Sequence, residues 1–442
     1  MTGGIFNKTS AFALVAAAGL VMGSWTLTAS SAKAADLGAD DLEERVAELE
    51  ATTVRKGNRK VSLELSGQVN RALVAWDDGV DSDAYVVDNE QSSTRFRMKG
   101  TGTISSDLKA GFLIELGVND SNSSNVDQAN DDAPSEDATV KIRQANAFFE
   151  SKTFGRITLG QGSAATDDLG IINLGGSLSD ASQYYNNKFR VGKTTWGTIV
   201  NGGTFFDTSR GDFVRYDTPA LYGFIMSAAW GENDVWDIAL RFQKQFADFR
   251  VAAGVGYYYT GEHKDNNDPR TGVASTVKFD KVFGSASIMH VPTGLFVNGA
   301  ASSITKYNTD LGDVDSSAWY IQGGITKRFI DYGATTFYGE YGIYDDAGVG
   351  STYLAAVKAD ADAEPAVLAS AATYITSSEV TRYGFGVTQA FDGAALEVYA
   401  QYHHYEADVS TYRAATVDGT SAQPGSLSAD WDAVVTGMKL KF

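Results

Sequence analysis

From residue 61 onward, apolar and polar residues alternate one by one. Val61, Leu63, Leu65 and Val69 interleave with Ser62, Glu64, Ser66, Gln68 and Asn70. Phe96, Met98 and Ile104 interleave with Arg95, Arg97, Lys99 and Thr103. The same period recurs through Trp236, Ile238, Leu240 and Phe242, and again through Leu396, Val398, Ala400 and Tyr402. A period of two over about ten residues predicts strands with one apolar and one polar face. Strands in soluble sheets average about five or six residues, whereas membrane-spanning barrel strands need about nine to eleven. The pattern predicts sixteen strands, starting near residues 61, 93, 108, 139, 154, 211, 222, 235, 248, 272, 294, 316, 333, 379, 394 and 432.

The links alternate too. Those at 105–107, 152–154, 218–221, 247, 292–294, 331–332 and 392–393 are tight. The intervening ones, at 77–92, 119–138, 162–210, 260–271, 305–315, 345–378 and 407–431, are long and polar; only the link at 231–234 breaks the rule. Long loops on one rim and short turns on the other mark an outer-membrane barrel. Closure removes the sheet edges that lipid could not satisfy. The fold expected is therefore all-β, a 16-stranded antiparallel transmembrane β-barrel spanning residues 61–442, with a short N-terminal coiled-coil helix before it. An even strand number puts both termini on the periplasmic rim.

Two segments precede the barrel. Residues 1–34 carry Lys8, an apolar stretch from 11 to 27 and Ala32-Lys33-Ala34, the pattern of a signal peptide. Residues 35–60 combine a short helix with a basic linker. Leu42, Val46 and Leu49 form an apolar seam about two heptads long, as a small self-associating coil would.

Composition narrows the function. The 442 residues include 36 Lys plus Arg against 55 Asp plus Glu, a net charge of −19. A nucleic-acid partner needs a basic footprint, which is missing. There is no cysteine and there are only four histidines, so neither a disulfide framework nor a metalloenzyme is expected. No Gly-x-Ser-x-Gly or His-Glu-x-x-His motif occurs, and His403 and His404 fall on opposite faces of one strand. An enzyme, a resident metal and a cofactor are not expected. Calcium in the acidic outer loop 119–137 is a weak option, because its spacing does not match the calcium-loop pattern.

Three groups carry candidate function. Arg95, Arg97 and Lys99 share the face opposite Phe96 and Met98, and Lys141 and Arg143 share a face of the fourth strand. A lipid-facing charge costs up to about 2–4 kcal/mol, so these must point into a wet lumen. Arg241, Arg250 and Arg382 repeat the pattern. The loop 162–210, with Asp167, Asp168 and Asp180, is long enough to fold inward. Its acids would then oppose the basic wall across a constriction and sort solutes by charge. Finally, Met438, Leu440 and Phe442 form the outer face of a last strand that ends on phenylalanine, as a C-terminal assembly signal would.

These blocks meet a known family. The chain resembles alphaproteobacterial outer-membrane porins of the rhizobial type. The resemblance is carried by EERVAELEATTVRKGNRKVSLELSGQVNRALVAWDDG (43–79), IRQANAFFESKTFGRITLGQGSAATD (142–167) and VRYDTPALYGF (214–224). It is supported by SASIMHVPTGLFV (285–297), ITKRFIDYGATTFYGEYG (325–342) and the terminal MKLKF. It implies a homotrimer in the outer membrane of a Gram-negative bacterium and passive diffusion of small hydrophilic solutes and ions. It implies contact with lipid, lipopolysaccharide and the assembly machinery, and an inward loop after strand five. Arg95, Arg97, Arg143 and Asp167 fall where such porins place eyelet residues. Arg71, by alternation, faces outward. Two other readings stay open: a sugar- or amino-acid-specific channel, and a barrel whose coil tethers the membrane to the cell wall. From net charge and the acidic mouth loops, opposed by the arginines, a weak cation preference is expected.

Overall fold

A computed structural model describes residues 60–118, 121–131, 140–182, 185–200, 205–208, 210–232, 234–261, 264–265, 275–276, 278–309, 311–354, 372–413 and 423–442. The expected signal peptide and the coil seam at Leu42, Val46 and Leu49 lie outside the described residues.

Sixteen antiparallel strands form a closed wall. They are β1 (Val61–Asp77), β2 (Arg95–Thr103), β3 (Leu108–Val118), β4 (Val140–Ser151), β5 (Gly155–Ser163) and β6 (Arg210–Asp217). Next come β7 (Phe224–Gly231), β8 (Trp236–Phe246), β9 (Phe249–Thr260), β10 (Lys278–His290) and β11 (Leu295–Thr309). The last five are β12 (Gly312–Ile330), β13 (Gly333–Asp345), β14 (Thr373–Phe391), β15 (Leu396–Arg413) and β16 (Gln423–Lys441). β16 returns to pair with β1, Met438 opposite Arg71, which closes the cylinder. Every wall strand thus has two neighbours, as lipid requires of a spanning sheet.

Alternation decides the faces. Phe96, Ile142, Ile157, Leu159, Met438 and Leu440 look outward, while Asn70, Glu115, Asn146 and Gln401 look into the lumen. Trp236 packs against Tyr257 at 5.1 Å and Trp319 against Tyr341 at 5.5 Å on the outer surface, an aromatic belt at the strand ends. Aromatic residues recurring near the strand ends of the sequence lead one to expect Trp76 and Tyr258 in that belt as well, but both are buried on the inner side, because each shares the parity of inward neighbours such as Val74 and Ala252.

Most strand starts fall within three residues of the expected ones. The exceptions are β10, β12, β14 and β16. β12, β14 and β16 begin earlier than the alternation suggested, because their outer ends continue as polar strands above the apolar band. The link after β11 is accordingly a tight turn, not a long loop. The second wall strand is broken. Ser82–Asp88 pairs with the upper part of β1, Arg71 opposite Asp88, and β2 pairs with the lower part, Gln68 opposite Arg95. Residues 89–94 step inward between them. Gln68 Nε2 and Asn70 Nδ2 hold this step by donating to Ser92 O at 2.7 and 2.9 Å. The sequence placed a loop at 77–92; much of it is wall.

After β5 the chain enters the lumen. It crosses the inner wall like a strap, held strand by strand. Thr166 N donates to Asp237 of β8 at 2.6 Å. Ile172 N and Leu174 N donate to Ser285 and Ser287 of β10 at 3.1 and 3.0 Å. Ser177 Oγ donates to Gln322 of β12 at 2.7 Å, and Ser179 Oγ to Glu340 of β13 at 2.6 Å. Tyr185 donates to Gln401 of β15 at 3.2 Å. Phe189 then meets Trp431 of β16 and Trp76 of β1 edge-on, at 5.5 and 4.9 Å. The return half contains a two-residue hairpin, Arg190–Val191 with Thr194–Thr195, and one helical turn, Trp196–Ile199. Its aromatic residues, Trp196, Phe205 and Phe206, are buried with Tyr344 and Tyr405 of the wall. The strap therefore fills the lumen along β8–β16 and leaves the β2–β6 side open.

Candidate pore constriction

The open side is where the basic wall lies. Arg95, Arg97 and Lys99 project inward from β2. Glu115 of β3, opposite Arg97, has no exposed surface and binds two arginines. The Arg97 guanidinium pairs with its Oε2, and Arg143 Nε donates to its Oε1 at 2.8 Å. Arg143 reaches the lumen because β4 bulges there: Glu115 pairs with Gln144 and Leu116 with Ile142, which leaves Arg143 as the extra residue. Its side chain lies over Gly117, where a Cβ would meet Arg143 Cδ at 2.7 Å. Lys141 stands opposite Gly117, at the same level as Arg95. Lys99 sits further toward the short-turn rim, opposite Glu64 and Leu113, away from the other four.

The facing groups come from the roots of the strap. Asp168, left-handed at φ 64°, is exposed to the lumen. Asp167 turns away from it and is only 3% exposed. Carboxylate oxygens of Asp167, Asp168 and Asp207 lie within 4.8 Å of one another, so the strap's entry and exit meet as an acidic cluster. Arg210 NH2 stands 3.7 Å from Asp167 Oδ2. Arg241 donates to Asp167 O at 2.7 Å, and Arg215 to Ala164 O at 2.8 Å. Burial, with Asp207 beside it, pushes the Asp167 carboxyl up to about 7, against the pull of Arg210.

Asp180 does not join this group. It sits on the far side of the lumen, beside the Arg382–Glu340 pair, where Ser182 N donates to it at 2.8 Å. Burial pushes it also up to about 7. The sequence grouped the three acids by proximity along the chain; the strap carries the third across the barrel. It also passed over Glu115, Arg210 and Arg215. The signal for Glu115 was available, since a lone acid at an inward position of the apolar run GFLIELGV needs cationic partners.

Such a lumen, a wide barrel narrowed by an inward segment with charge on both sides, is a diffusion geometry. The model of a family described as Gram-negative porin matches residues 13–410. The chain belongs to the Gram-negative porin family. None of the curated proteins matches its sequence. Among solved structures it is similar to an anion-selective porin from Comamonas acidovorans, with 15% identity, 86% of this chain and 100% of that one covered, and a TM-score of 0.54. It is also similar to a loop-deletion mutant of OmpT, an outer membrane protein of Vibrio cholerae, with 14% identity, coverage of 87% and 100%, and a TM-score of 0.53. At that identity the likeness speaks for the fold. This porin is a multi-pass barrel of the outer membrane, and its family and fold are those of a channel.

The titration of the strap acids makes a prediction. Asp167 and Asp180 are neutral at pH 5 and ionised at pH 8, so raising the pH adds negative charge to the porin's lumen. The permeability ratio of potassium to chloride, read from reversal potentials in a salt gradient, should rise between pH 5 and 8. The Asp167→Asn, Asp180→Asn double variant should show a much flatter profile; an unchanged profile would assign the titration to other groups.

Proposed function

We propose that this porin is a passive diffusion channel for small hydrophilic solutes and ions, working as a homotrimer, with no cofactor and no catalytic step. The observation that carries the reading is the one-sided strap: it docks on β8–β16 and leaves a passage along β2–β6 lined by arginines and Asp168. Solutes enter from the long-loop rim and cross this eyelet without energy input. A solved structure of OmpT from Vibrio cholerae is described as a trimer form, covers 86% of this chain with 14% identity and a TM-score of 0.50, and is compatible with the same assembly. Within the family, the sequence blocks given above support a likeness to the rhizobial-type porins. The C-terminal strand face at Met438, Leu440 and Phe442 serves the assembly machinery, and the apolar belt contacts lipid and lipopolysaccharide.

The eyelet changes the expected selectivity. Arg95, Arg97, Arg143, Arg210, Arg215 and Arg241 converge there. Glu115, Asp168, Asp207 and Asp217 oppose them, with Asp167 only partly ionised near neutrality. Cations therefore meet a slight excess of positive charge at the narrowest point, whatever the mouth loops do. We infer a weak preference for anions below pH 7, in place of the weak cation preference expected from net charge. Purified protein inserted in a planar bilayer should give stepwise openings, often in threes, with a reversal potential of anion-selective sign at pH 5. Silence from a correctly folded barrel would mean a closed lumen and would sink the channel reading.

A further inference from the structure

On the short-turn side of the eyelet the inner wall is hollow. Thr158, Gly160 and Gly162 occupy successive inward positions of β5, while Ile157 and Leu159 face out. The two glycines leave a cavity of about 220 Å3 in the wall. Neither can be replaced freely. A Cβ at Gly162 would stand 2.9 Å from Asn146 Nδ2, and Gly160, at φ +119°, would put one 2.6 Å from Ala145 O. The hollow is thus built into the backbone.

Its lining is chemically selective. Arg156 lies with its guanidinium 3.9 Å above the Phe148 ring, and Nε donates to Thr158 Oγ1 at 3.2 Å. Among the described residues, its two terminal amino groups make no hydrogen bond. The second arginine of the cavity is already engaged: Arg215 Nε and NH2 both bind Asp217, at 3.0 and 2.8 Å. Asn146 is 8% exposed; its Nδ2 donates to Gln161 O at 3.1 Å, but its Oδ1 has no partner. A buried acceptor without a donor is costly to leave unpaired, so a ligand hydroxyl that reaches it gains accordingly. Leu113 and Phe213 supply an apolar side.

We propose that this recess is a binding subsite for short hydroxycarboxylates, placed just past the eyelet. The carboxylate takes the two free amino groups of Arg156, a bidentate fork held flat by the ring beneath it. The hydroxyl donates to Asn146 Oδ1, and the carbon chain rests on Leu113 and Phe213. Arg215 and the Ser227 hydroxyl occupy the oxygens of Asp217 and offset its charge, so the acid with which the anion competes for Arg156 is Glu150, opposite it on β4. The subsite rests on the channel reading, since solute reaches it only through an open lumen.

The test uses the full-length barrel in a planar bilayer, with chloride as the current carrier. Sodium lactate added on the side of the short turns should reduce the current saturably. Sodium acetate, which lacks the hydroxyl, should do so several-fold less well. Arg156→Gln should raise the half-blocking lactate concentration roughly tenfold or more, the loss expected for a charged hydrogen-bond pair. Asn146→Leu should bring lactate down to the level of acetate. Arg250→Gln, an inward charge on β9 outside the recess, should leave the block as it was. If the glutamine variant does not insert, Arg156→Lys, which keeps the charge and loses the fork, should weaken the block instead. Lactate current that never saturates, or a block indifferent to Arg156, or equal block by lactate and acetate, would overturn the subsite. A wild-type barrel that carries no chloride current would overturn the channel reading itself.

Discussion

Replacing Glu340 with leucine should destabilise the barrel by about 3–5 kcal/mol and widen its lumen. Glu340 is the centre of the polar network that holds the strap. Arg382 NH2 donates to its Oε1 at 2.7 Å, His403 Nδ1 lies 3.0 Å from the same oxygen, and Tyr320 donates to its Oε2 at 2.8 Å. Ser179 of the strap binds Glu340 and also accepts from Arg382 at 2.9 Å. The side chains of Arg382 and Glu340 are 1% and 0% exposed. Removing the carboxylate leaves a buried guanidinium without its counter-charge, and the strap loses its middle fastening. Thermal unfolding in detergent should shift down by several degrees or more, and single-channel conductance should rise. The double variant Glu340→Leu, Arg382→Leu should recover most of the stability, because paired charges replaced together by apolar side chains leave no orphan. It should not recover the conductance, since Ser179 Oγ would still lack both Glu340 and Arg382, and the Ser182 carbonyl, which accepts from Arg382 at 3.2 Å, would lose that donor. A single variant that melts like the parent would show that the network does not carry the strap.

Substituting valine for Gly67 should prevent closure. Gly67 and Phe442 bind each other's backbone twice, Gly67 N to Phe442 O at 2.8 Å and Phe442 N to Gly67 O at 3.0 Å. A Cβ on Gly67 would fall 2.6 Å from Arg95 O and 2.5 Å from Phe442 Cζ. The Arg95 carbonyl is β2 backbone and cannot move aside, so β1 must shift and cannot hold its register with β2 and the last strand together. Overpacking of this kind costs typically about 1–3 kcal/mol, and the lost pair of hydrogen bonds adds to it. We expect the refolded, heat-resistant fraction to fall about tenfold. Deleting Phe442 should behave differently. The pairing of Gln68 with Lys441 remains, so refolding in detergent should be nearly normal. Assembly in cells should drop at least tenfold if the terminal phenylalanine is read as a signal. Equal loss in both assays would make it a structural residue only.

The architecture was legible because a lipid-facing wall forces the simplest of periodicities. Residues 236–242 could be one thing only: an apolar face of Trp236, Ile238, Leu240 and Phe242, and an inner face beginning at Asp237. The basic wall followed by the same logic, since Arg95 and Arg97 could not face lipid. What could not be read is what the inner face touches. Parity says that Arg382 points inward; it does not say that a serine of the strap, about two hundred residues earlier in the chain, waits there. Arg143 was assigned inward by alternation with Lys141, yet the strand is bulged at that point, and it is the bulge that aims the side chain. Trp76 looked like a belt residue because tryptophan is common at interfaces, but its position on β1 is even and inward. The break at 89–94 was hidden for a different reason. Its residues, NEQSST, read as loop, and only pairing with β1 on both sides reveals that they interrupt a wall strand.

The strap has one more consequence, for the behaviour of the open passage in time. A loop tied at its ends alone would swing, and its motion would modulate the lumen on the microsecond scale common for loops. This segment is fastened to β8, β10, β12, β13 and β15 in turn; Phe189 at its turn packs against β16 and β1, and the aromatics of its return half pack back against β13 and β15. No single fastening can open without straining its neighbours, so large excursions require several to fail together and are correspondingly rare. The moving parts that remain are exposed side chains on the open wall, such as Asp168 and Lys141, which change rotamer within nanoseconds. A solute thus meets an aperture whose frame is constant during its passage and whose lining averages out long before it has crossed.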